Sequence, residues 1–156
     1  MKIVIVGCGK IGTSILESLV GEGNEVVVID DSPAVIEEIS NIYDVMCVCG
    51  NGADTETLEE ADVSKAEIFV AVTNSDELNM LACFVAERMG AKHTIARIRN
   101  PEYNDKSLDF LRKHLGLTVS LNPEWMASKE LYNMLKLPAA VNVENFSGGN
   151  LEMIEL

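Results

Sequence analysis

Short apolar runs alternate with helix-like segments along most of this chain. Each run is continuous rather than interrupted by polar residues, which is typical of parallel strands buried on both faces. Because strands and helices alternate, the sequence predicts an α/β fold, a doubly wound Rossmann-like parallel sheet of about six strands with right-handed crossovers. The predicted strands are 2–7, 25–30, 45–50, 67–73, 94–98 and 117–121.

Polar residues mark the expected starts of the helices. Ser32, Asn100 and Asn122 each precede a proline, so an N-cap acceptor stands before a residue whose missing N–H costs nothing in the first turn. Asp54 and Ser75 are expected to cap in the same way. The segments between the runs are therefore predicted to be helices that connect the strands.

The end of the chain has a different pattern. After the helical segment 123–137, residues 141–146 alternate, 147–150 are turn-prone and a second alternating run follows. A two-stranded hairpin is marginally stable alone. We therefore predict a Rossmann-like domain over 1–137 and, over 138–156, either the start of a second small lobe or the point where a longer sequence is cut.

The charge of the chain is unevenly placed. Its formal net charge is −13, and residues 1–62 carry thirteen acidic residues against only Lys2 and Lys10. Such a surface repels nucleic-acid phosphate and anionic lipid headgroups, so direct binding to nucleic acid or membrane is not expected. No apolar stretch approaches the ~20 residues that span a bilayer, so a soluble protein is predicted.

The four cysteines, Cys8, Cys47, Cys49 and Cys83, all lie in apolar runs. They are expected to be buried free thiols in a reducing cytosol. Cys47 and Cys49 are separated by one residue rather than two, and the sequence has no second cysteine pair. No metal site is predicted from this spacing.

A glycine-rich segment follows the first predicted strand and opens a helix, which is the context of the dinucleotide-binding fingerprint. Gly7 is expected to make the tight turn, Gly9 to let backbone N–H groups approach a pyrophosphate, and Gly12 to let the helix pack on the strand. Asp30 ends the second strand, where an acid accepts hydrogen bonds from the adenosine ribose. Nucleotide binding is therefore predicted. The segment consists of Gly7, Cys8, Gly9, Lys10, Ile11 and Gly12.

Charge near Asp30 favours NAD over NADP, because a 2′-phosphate beside Asp30 and Asp31 would meet like charge. A bound diphosphate also needs positive potential, which the helix dipole, Lys10 and Arg97 are expected to supply. Arg97 lies near the carboxyl end of an apolar strand, where an arginine needs an anionic partner. Lys10 is equally consistent with an exposed lysine that points to water.

Turn-prone polar residues follow the third and fourth predicted strands. Ligands of open α/β sheets bind at the carboxyl ends of the strands, so these residues are expected to touch adenine or ribose. Ser75 and Asp76 are expected to serve the next helix, Ser75 as its cap and Asp76 through its dipole. The residues expected to touch adenine or ribose are Asn51, Gly52, Thr73 and Asn74.

Catalysis is not predicted. A nicotinamide dehydrogenase needs a group that moves a proton near the hydride. His93 precedes the fifth strand, at the amino edge, and His114 lies late in the helix expected after Pro101. The alternative function is a free-standing NAD-dependent oxidoreductase. A redox-sensing transcription factor would need a basic helix-turn-helix, and the sequence has no strongly basic window.

Longer segments resemble a known family. The segments GCGKIG, VVVIDD, GNGAD, VAVTNSDELNMLAC, IARIRNPEY and NPEWMASKELYNMLKLPAA resemble the TrkA-type regulatory subunits of bacterial and archaeal potassium uptake systems, whose nucleotide-binding module is called the RCK or KTN domain. The likeness runs through nearly the whole chain.

The resemblance implies a cytoplasmic, non-catalytic subunit that gates a Trk/Ktr-type potassium-translocating membrane protein. Its ligand would be NAD(H), which is favoured, or ATP/ADP. It would form a homodimer or higher ring and lie at the inner face of the cell membrane through its partner. The helix 123–137 would be the crossover helix that mediates dimer contacts.

The resemblance also assigns roles to site residues. The loop 7–12 and Arg97 would hold the phosphates, and Asp30 would hold the ribose. The residues on the adenosine side would be Asn51, Thr73 and Asn74.

Overall fold

A computed structural model of the chain describes residues 1–103, 109–110, 113–136, 142–146 and 151–155. The chain forms two compact units, Met1–Leu121 and Asn122–Leu156. The first unit contains the predicted sheet, and the second contains a helix and a hairpin. The domain limits expected from the sequence, 1–137 and 138–156, stay a prediction.

The first unit is built on a parallel sheet. Its strands are β1 (Lys2–Val6), β2 (Glu25–Asp30), β3 (Met46–Cys49), β4 (Ile68–Ala71), β5 (His93–Arg97) and β6 (Val119–Leu121). They pair in the order β3-β2-β1-β4-β5-β6, and every pairing is parallel. The predicted doubly wound, Rossmann-like α/β sheet is therefore confirmed. The strand order reverses at β1, and such a reversal opens a ligand crevice at the carboxyl ends of the strands.

Helices connect the strands as expected. They are α1 (Lys10–Leu19), α2 (Pro33–Ile42), α3 (Thr55–Glu60) and α4 (Asp76–Met89). The Asp54 side chain accepts a hydrogen bond from the backbone N–H of Thr57 at 3.0 Å, and the Ser75 side chain accepts one from the N–H of Leu78 at 3.1 Å. Both predicted N-caps are confirmed.

Apolar side chains are buried on both faces of the sheet. Val4 and Val6 of β1 belong to the cluster that includes residues of α3 and α4, whereas Ile3 and Ile5 belong to the cluster with residues of α1 and α2. Phe69 of β4 is fully buried in the first cluster. Because both faces are covered, successive residues of these strands are all apolar, which is the pattern read in the sequence.

The cysteines differ in burial. Cys8 and Cys83 are buried, Cys47 is half-buried and Cys49 is exposed. The prediction that all four are buried is wrong for Cys49 and holds only in part for Cys47, because both lie on β3, an edge strand of the sheet. In the described part of the chain, no group of three or more histidine, cysteine or acidic residues could hold a metal ion.

We expect one thiol of the native chain to react rapidly with Ellman's reagent. The thiolate is the nucleophile, and burial raises the pKa of both the Cys8 and the Cys83 thiols to about 12, so these two stay protonated. Burial also raises the pKa of the Cys47 thiol. The variant Cys49→Ser is expected to lose the fast phase, while all thiols react after unfolding. Persistence of the fast phase in Cys49→Ser would contradict this assignment.

The second unit contains α5 (Pro123–Lys136), β7 (Asn142–Phe146) and β8 (Leu151–Glu155). β7 and β8 pair antiparallel, which confirms the predicted hairpin, whereas the turn expected at 147–150 lies outside the described residues. The side chain of Asn122 accepts a hydrogen bond from the N–H of Trp125 at 2.9 Å, as a helix cap does. None of the helices in the described ranges has the length and apolarity that a membrane span needs.

One predicted helix start differs from the structure. Residues 101–103 form a turn instead of the first turn of a helix. Asn100 closes this turn, since its side-chain oxygen accepts a hydrogen bond from the N–H of Glu102 at 2.9 Å. The segment 104–108 that follows lies outside the described residues.

Candidate functional site

The loop between β1 and α1 has the conformation that its glycines require. Gly7 has φ +90°, and a Cβ atom at this position would lie 2.8 Å from the backbone nitrogen of Thr73. A Cβ atom on Gly12 would collide with the carbonyl oxygen of Gly7. A Cβ atom on Gly9, by contrast, would meet no atom within 4 Å. Two glycines therefore make close backbone packing possible, and the third faces open space.

The start of α1 is suited to an anion. Gly9 is the N-cap residue and provides no side-chain cap, and the first turn contains no acidic residue. The first N–H groups of a helix have no intrahelical acceptor, and the helix dipole places positive potential there. This acid-free helix start, with open space beside Gly9, fits a phosphate group. Ile11 is half-buried and Lys10 is exposed at the same turn.

Asp30 connects the end of β2 to the glycine loop. Its Oδ2 accepts a hydrogen bond from the N–H of Cys8 at 2.8 Å, and its Oδ1 accepts one from the N–H of Ser32 at 2.9 Å. A carboxylate has about four acceptor positions, so both oxygens retain capacity for ribose hydroxyls. Ser32 makes no side-chain cap to α2, so this predicted cap is wrong; the Asp30 carboxylate, rather than the Ser32 hydroxyl, holds the chain at this helix start. Asp31 is exposed.

The turn after β3 is held by its own residues. Gly52 is buried, and a Cβ atom there would collide with the side chain of Val6. Asn51 is exposed, and its Oδ1 accepts a hydrogen bond from the N–H of Ala53 at 2.9 Å. Gly52 therefore lets the turn approach β1 closely, while Asn51 shapes the turn at the surface.

Thr73 and Arg97 lie across the glycine loop from Asp30, because β4 and β2 flank β1 on opposite sides. Arg97 is half-buried, and its Nη1 donates a hydrogen bond to the carbonyl oxygen of Thr73 at 3.4 Å. Asn74 is exposed, and its carbonyl oxygen accepts a hydrogen bond from Nη2 of Arg99. The ends of β4 and β5 thus form one side of the crevice.

The structure brings most of the predicted residues to one edge of the sheet. Asp30 contacts the loop through the N–H of Cys8. Thr73 packs against Gly7, and its carbonyl oxygen accepts a hydrogen bond from Arg97. These contacts run continuously along the ends of β2, β1, β4 and β5. The exposed predicted residues on this edge are Gly9, Lys10, Asp31, Asn51 and Asn74.

Asn79 is a residue of this edge that the sequence prediction does not include. Its side chain is fully buried in α4, and it hydrogen-bonds to Thr73 and to Arg97. One feature of the sequence could have indicated Asn79. Asn79 occupies the apolar stripe of α4 with Cys83 and Ala86, four and seven residues further on, and a buried polar side chain in such a stripe needs partners.

Asp76 does more than its predicted interaction with the helix dipole. It is buried, and its Oδ2 accepts hydrogen bonds from the backbone N–H groups of Arg99 at 2.8 Å and Asn100 at 2.7 Å. Its Oδ1 lies 3.7 Å from Nε of Arg99. Asp76 therefore fixes the segment that follows β5 to the start of α4.

The two histidines lie away from this edge. His93 is the exposed first residue of β5, at the amino end of the strand. His114 is exposed, its ring stacks on Phe110, and its Nδ1 lies 2.8 Å from the carbonyl oxygen of Phe110. Neither imidazole is positioned to exchange a proton with a group bound at the carboxyl ends of the strands.

Solved structures share this fold. The TrkA-N domain of inner membrane protein ybaL from Escherichia coli has a TM-score of 0.75 at 20% identity, over 86% of this chain and 96% of that chain. The GsuK channel bound to NAD has a TM-score of 0.65 at 20% identity, over 77% of this chain and 21% of that chain. GsuK bound to ADP has a TM-score of 0.68 at 21% identity, over 88% of this chain and 34% of that chain. At these identities the likeness shows the fold alone.

Sequence relatives are potassium uptake proteins. The chain is 38% identical over 157 residues to the Trk system potassium uptake protein TrkA homolog of Archaeoglobus fulgidus, covering 100% of this chain and 35% of the relative. It is 30% identical over 156 residues to the homolog of Methanothermobacter thermautotrophicus, covering 100% of this chain and 70% of the relative. The chain thus spans about a third of the first relative and more than two thirds of the second.

The sequence profile of one domain family, the TrkA-N domain, matches residues 3–123. This range contains the parallel sheet from Ile3 of β1 to the end of β6, and every residue predicted for the site. The match covers well over half of the chain and agrees with the fold and with the relatives. The chain therefore belongs to the TrkA-N domain family.

Proposed function

We propose that this chain is the nucleotide-binding part of a non-catalytic regulator of potassium uptake. The observation that supports this most is the glycine loop, which presents open space at Gly9 and an acid-free helix start beside the carboxylate of Asp30. The chain has a net charge of −13, yet the first turn of α1 contains no acidic residue. The local potential at this turn therefore favours an anion. The names of its relatives support the link to potassium uptake.

NAD(H) is the favoured ligand, and ATP/ADP is the alternative. Asp30 would accept hydrogen bonds from the adenosine ribose, and the first N–H groups of α1 would bind the phosphates together with Arg97. Asn51 and Gly52 would line the adenosine side. Thr73 and Asn74, which the resemblance also assigns to that side, border the crevice on the other side of the loop. GsuK, which shares the fold, has been solved both with NAD and with ADP.

The proposed partner is a Trk/Ktr-type potassium-translocating membrane subunit. The regulator would act as a homodimer or higher ring and lie at the inner face of the cell membrane through that subunit. α5, the proposed crossover helix, exposes Trp125, Leu131, Tyr132 and Leu135, which supports a role in contacts between copies. Nucleotides that contact two arrangements of the assembly differently would shift their populations, and the partner would respond to that shift.

We expect Asp30→Ala to weaken NADH binding by at least about tenfold in calorimetric titration. The variant removes the acceptor of the ribose hydroxyls and the anchor of the Cys8 N–H, and a hydrogen bond to a charged group contributes about 1.5–3 kcal/mol. NAD, ATP and ADP titrated in parallel rank the ligands.

Asp44→Ala is the matched control for this titration. It removes the same charge from an exposed residue that precedes β3. Asp44 lies at the amino end of that strand, away from the glycine loop, so the affinities should stay unchanged. Equal NADH affinity in wild type and Asp30→Ala would remove Asp30 from the site. Absence of binding for all four nucleotides to the wild-type chain would refute the proposed function.

A further inference from the structure

Asn79 uses the whole hydrogen-bonding capacity of its side-chain amide inside the first unit. Its Oδ1 accepts hydrogen bonds from the backbone N–H of Thr73 at 2.8 Å and from the Thr73 hydroxyl at 2.7 Å. Its Nδ2 donates to the carbonyl oxygen of Thr73 at 3.3 Å and to the carbonyl oxygen of Arg97 at 2.9 Å. One side chain thus joins the ends of two neighbouring strands.

The side chain is also completely shielded from solvent, with 0% exposure. A buried amide that lacks partners is costly, so these four hydrogen bonds define the backbone positions of Thr73 and Arg97 closely. Thr73 also packs against Gly7, which places it at the border between these two strand ends and the glycine loop. Asn79 itself has no surface that a ligand could reach, so it can act only through the residues it holds.

The strand order divides the site into two halves. Asp30 and the glycine loop lie at the ends of β2 and β1, whereas Thr73 and Arg97 lie at the ends of β4 and β5. Neighbouring strands are about 4.8 Å apart, so the edge from β2 to β5 is about 14 Å long. A mononucleotide with its ribose at Asp30 and its phosphate at α1 occupies only the first half. The second nucleoside of a dinucleotide has to extend over β4 and β5.

We propose that Asn79 is a positioning residue that holds the half of the site for the second nucleoside, and that it thereby sets the preference for a dinucleotide over an adenine mononucleotide. The inference rests on the proposed function, since it requires nucleotide binding at the glycine loop. It assigns Thr73 to the second nucleoside rather than to the adenosine side.

The variant Asn79→Asp tests this inference with little change in side-chain volume. Aspartate retains the acceptors for Thr73 but lacks the NH₂ group, so the carbonyl oxygens of Thr73 and Arg97 lose their donor. We expect NADH affinity to fall by at least about tenfold, because two hydrogen bonds that fix this half are lost. AMP affinity should change by less than about twofold, because its half of the site is separate.

Thr94→Val is the matched control. Thr94 is also 0% exposed and lies in the same strand as Arg97, but near the amino end, where its hydroxyl donates to the carbonyl oxygen of Gly116 at 2.7 Å. Valine removes this hydrogen bond and the one that the hydroxyl accepts from the N–H of Thr118, both far from the crevice. We expect lower thermal stability and an unchanged ratio of NADH to AMP affinity. A general loss of stability in Asn79→Asp therefore cannot imitate the expected change in that ratio.

If Asn79→Asp does not fold, a measurement on the wild-type chain tests the same inference. In ¹⁵N-labelled protein, NADH should shift the side-chain amide resonances of Asn79, whereas AMP should leave them in place. Equal loss of both affinities, no loss of either, or equal shifts with both ligands would overturn the inference. If the wild type binds both ligands, such a result refutes the role of Asn79 alone; if it binds neither, the proposed function itself has failed.

Discussion

Replacing Gly9 by aspartate is expected to abolish nucleotide binding and leave the fold intact. Gly9 has φ −68° and ψ −167°, an extended conformation open to any residue, and a Cβ atom there meets no neighbour. Aspartate is a favoured N-cap residue, so α1 should be as stable as before or slightly more so. Its carboxylate, however, would occupy the N–H groups that are proposed to bind phosphate.

The added carboxylate would also repel that phosphate. Two like charges about 4 Å apart repel by about 4 kcal/mol at the effective dielectric of a protein surface, which corresponds to more than about 100-fold in affinity. Calorimetric titration with NADH and ADP measures the loss, and thermal unfolding checks that the melting temperature is kept.

Ser18→Asp provides the control for added charge. Ser18 is exposed on the same helix, about two turns beyond the loop, so it adds one carboxylate to α1 without approaching the phosphate position. Its affinity should stay close to that of the wild type. Undiminished nucleotide binding by Gly9→Asp would show that the ligand does not use this loop.

The parts of the site that could be predicted are those encoded within a few residues. The spacing of Gly7, Gly9 and Gly12 after an apolar run specifies a tight turn and a helix start, and the structure has both. The strands were predictable because burial on both faces makes each of them continuously apolar. Local sequence was sufficient wherever the backbone itself forms the feature.

The parts that could not be predicted depend on contacts between distant residues. Asn79 binds Arg97, eighteen residues further on, and Asp76 binds the backbone of Asn100, twenty-four residues further on. Neither pairing follows from local spacing, although a polar residue in the apolar stripe of α4 indicates that some partner exists. The exposure of Cys49 depends on the order of the strands, which places β3 at the edge. Strand order is a property of the whole sheet.

These differences separate the residues of the site by function. Gly9, the start of α1 and Asp30 are proposed to contact a ligand, whereas Gly7, Gly12, Gly52 and Asn79 bring chain segments together. The same sequence motif therefore contains residues of both kinds. Substitutions within one motif should consequently have different effects on affinity and on stability.

Gly12→Ala is expected to destabilise the fold, in contrast to substitution of Gly9. The new Cβ atom would collide with the carbonyl oxygen of Gly7, which is backbone and cannot rotate away as a side chain can. Forcing extra volume into a packed site costs about 1–3 kcal/mol, and alanine recovers about 0.5–1 kcal/mol through its higher helix propensity. The shift of Gly7 would also disturb its contact with Thr73, so nucleotide affinity should fall as well.

Gly9→Ala is the matched variant, because it adds the same methyl group three residues earlier, on the open side of the same loop. Thermal and urea unfolding should show a lower melting temperature and a lower unfolding free energy for Gly12→Ala, with both values kept in Gly9→Ala. Equal stability of the two variants would mean that the loop can rearrange around Gly12 without cost. The division between packing glycines and ligand-facing glycines would then be wrong, since the collision at Gly12 is the contact on which it rests.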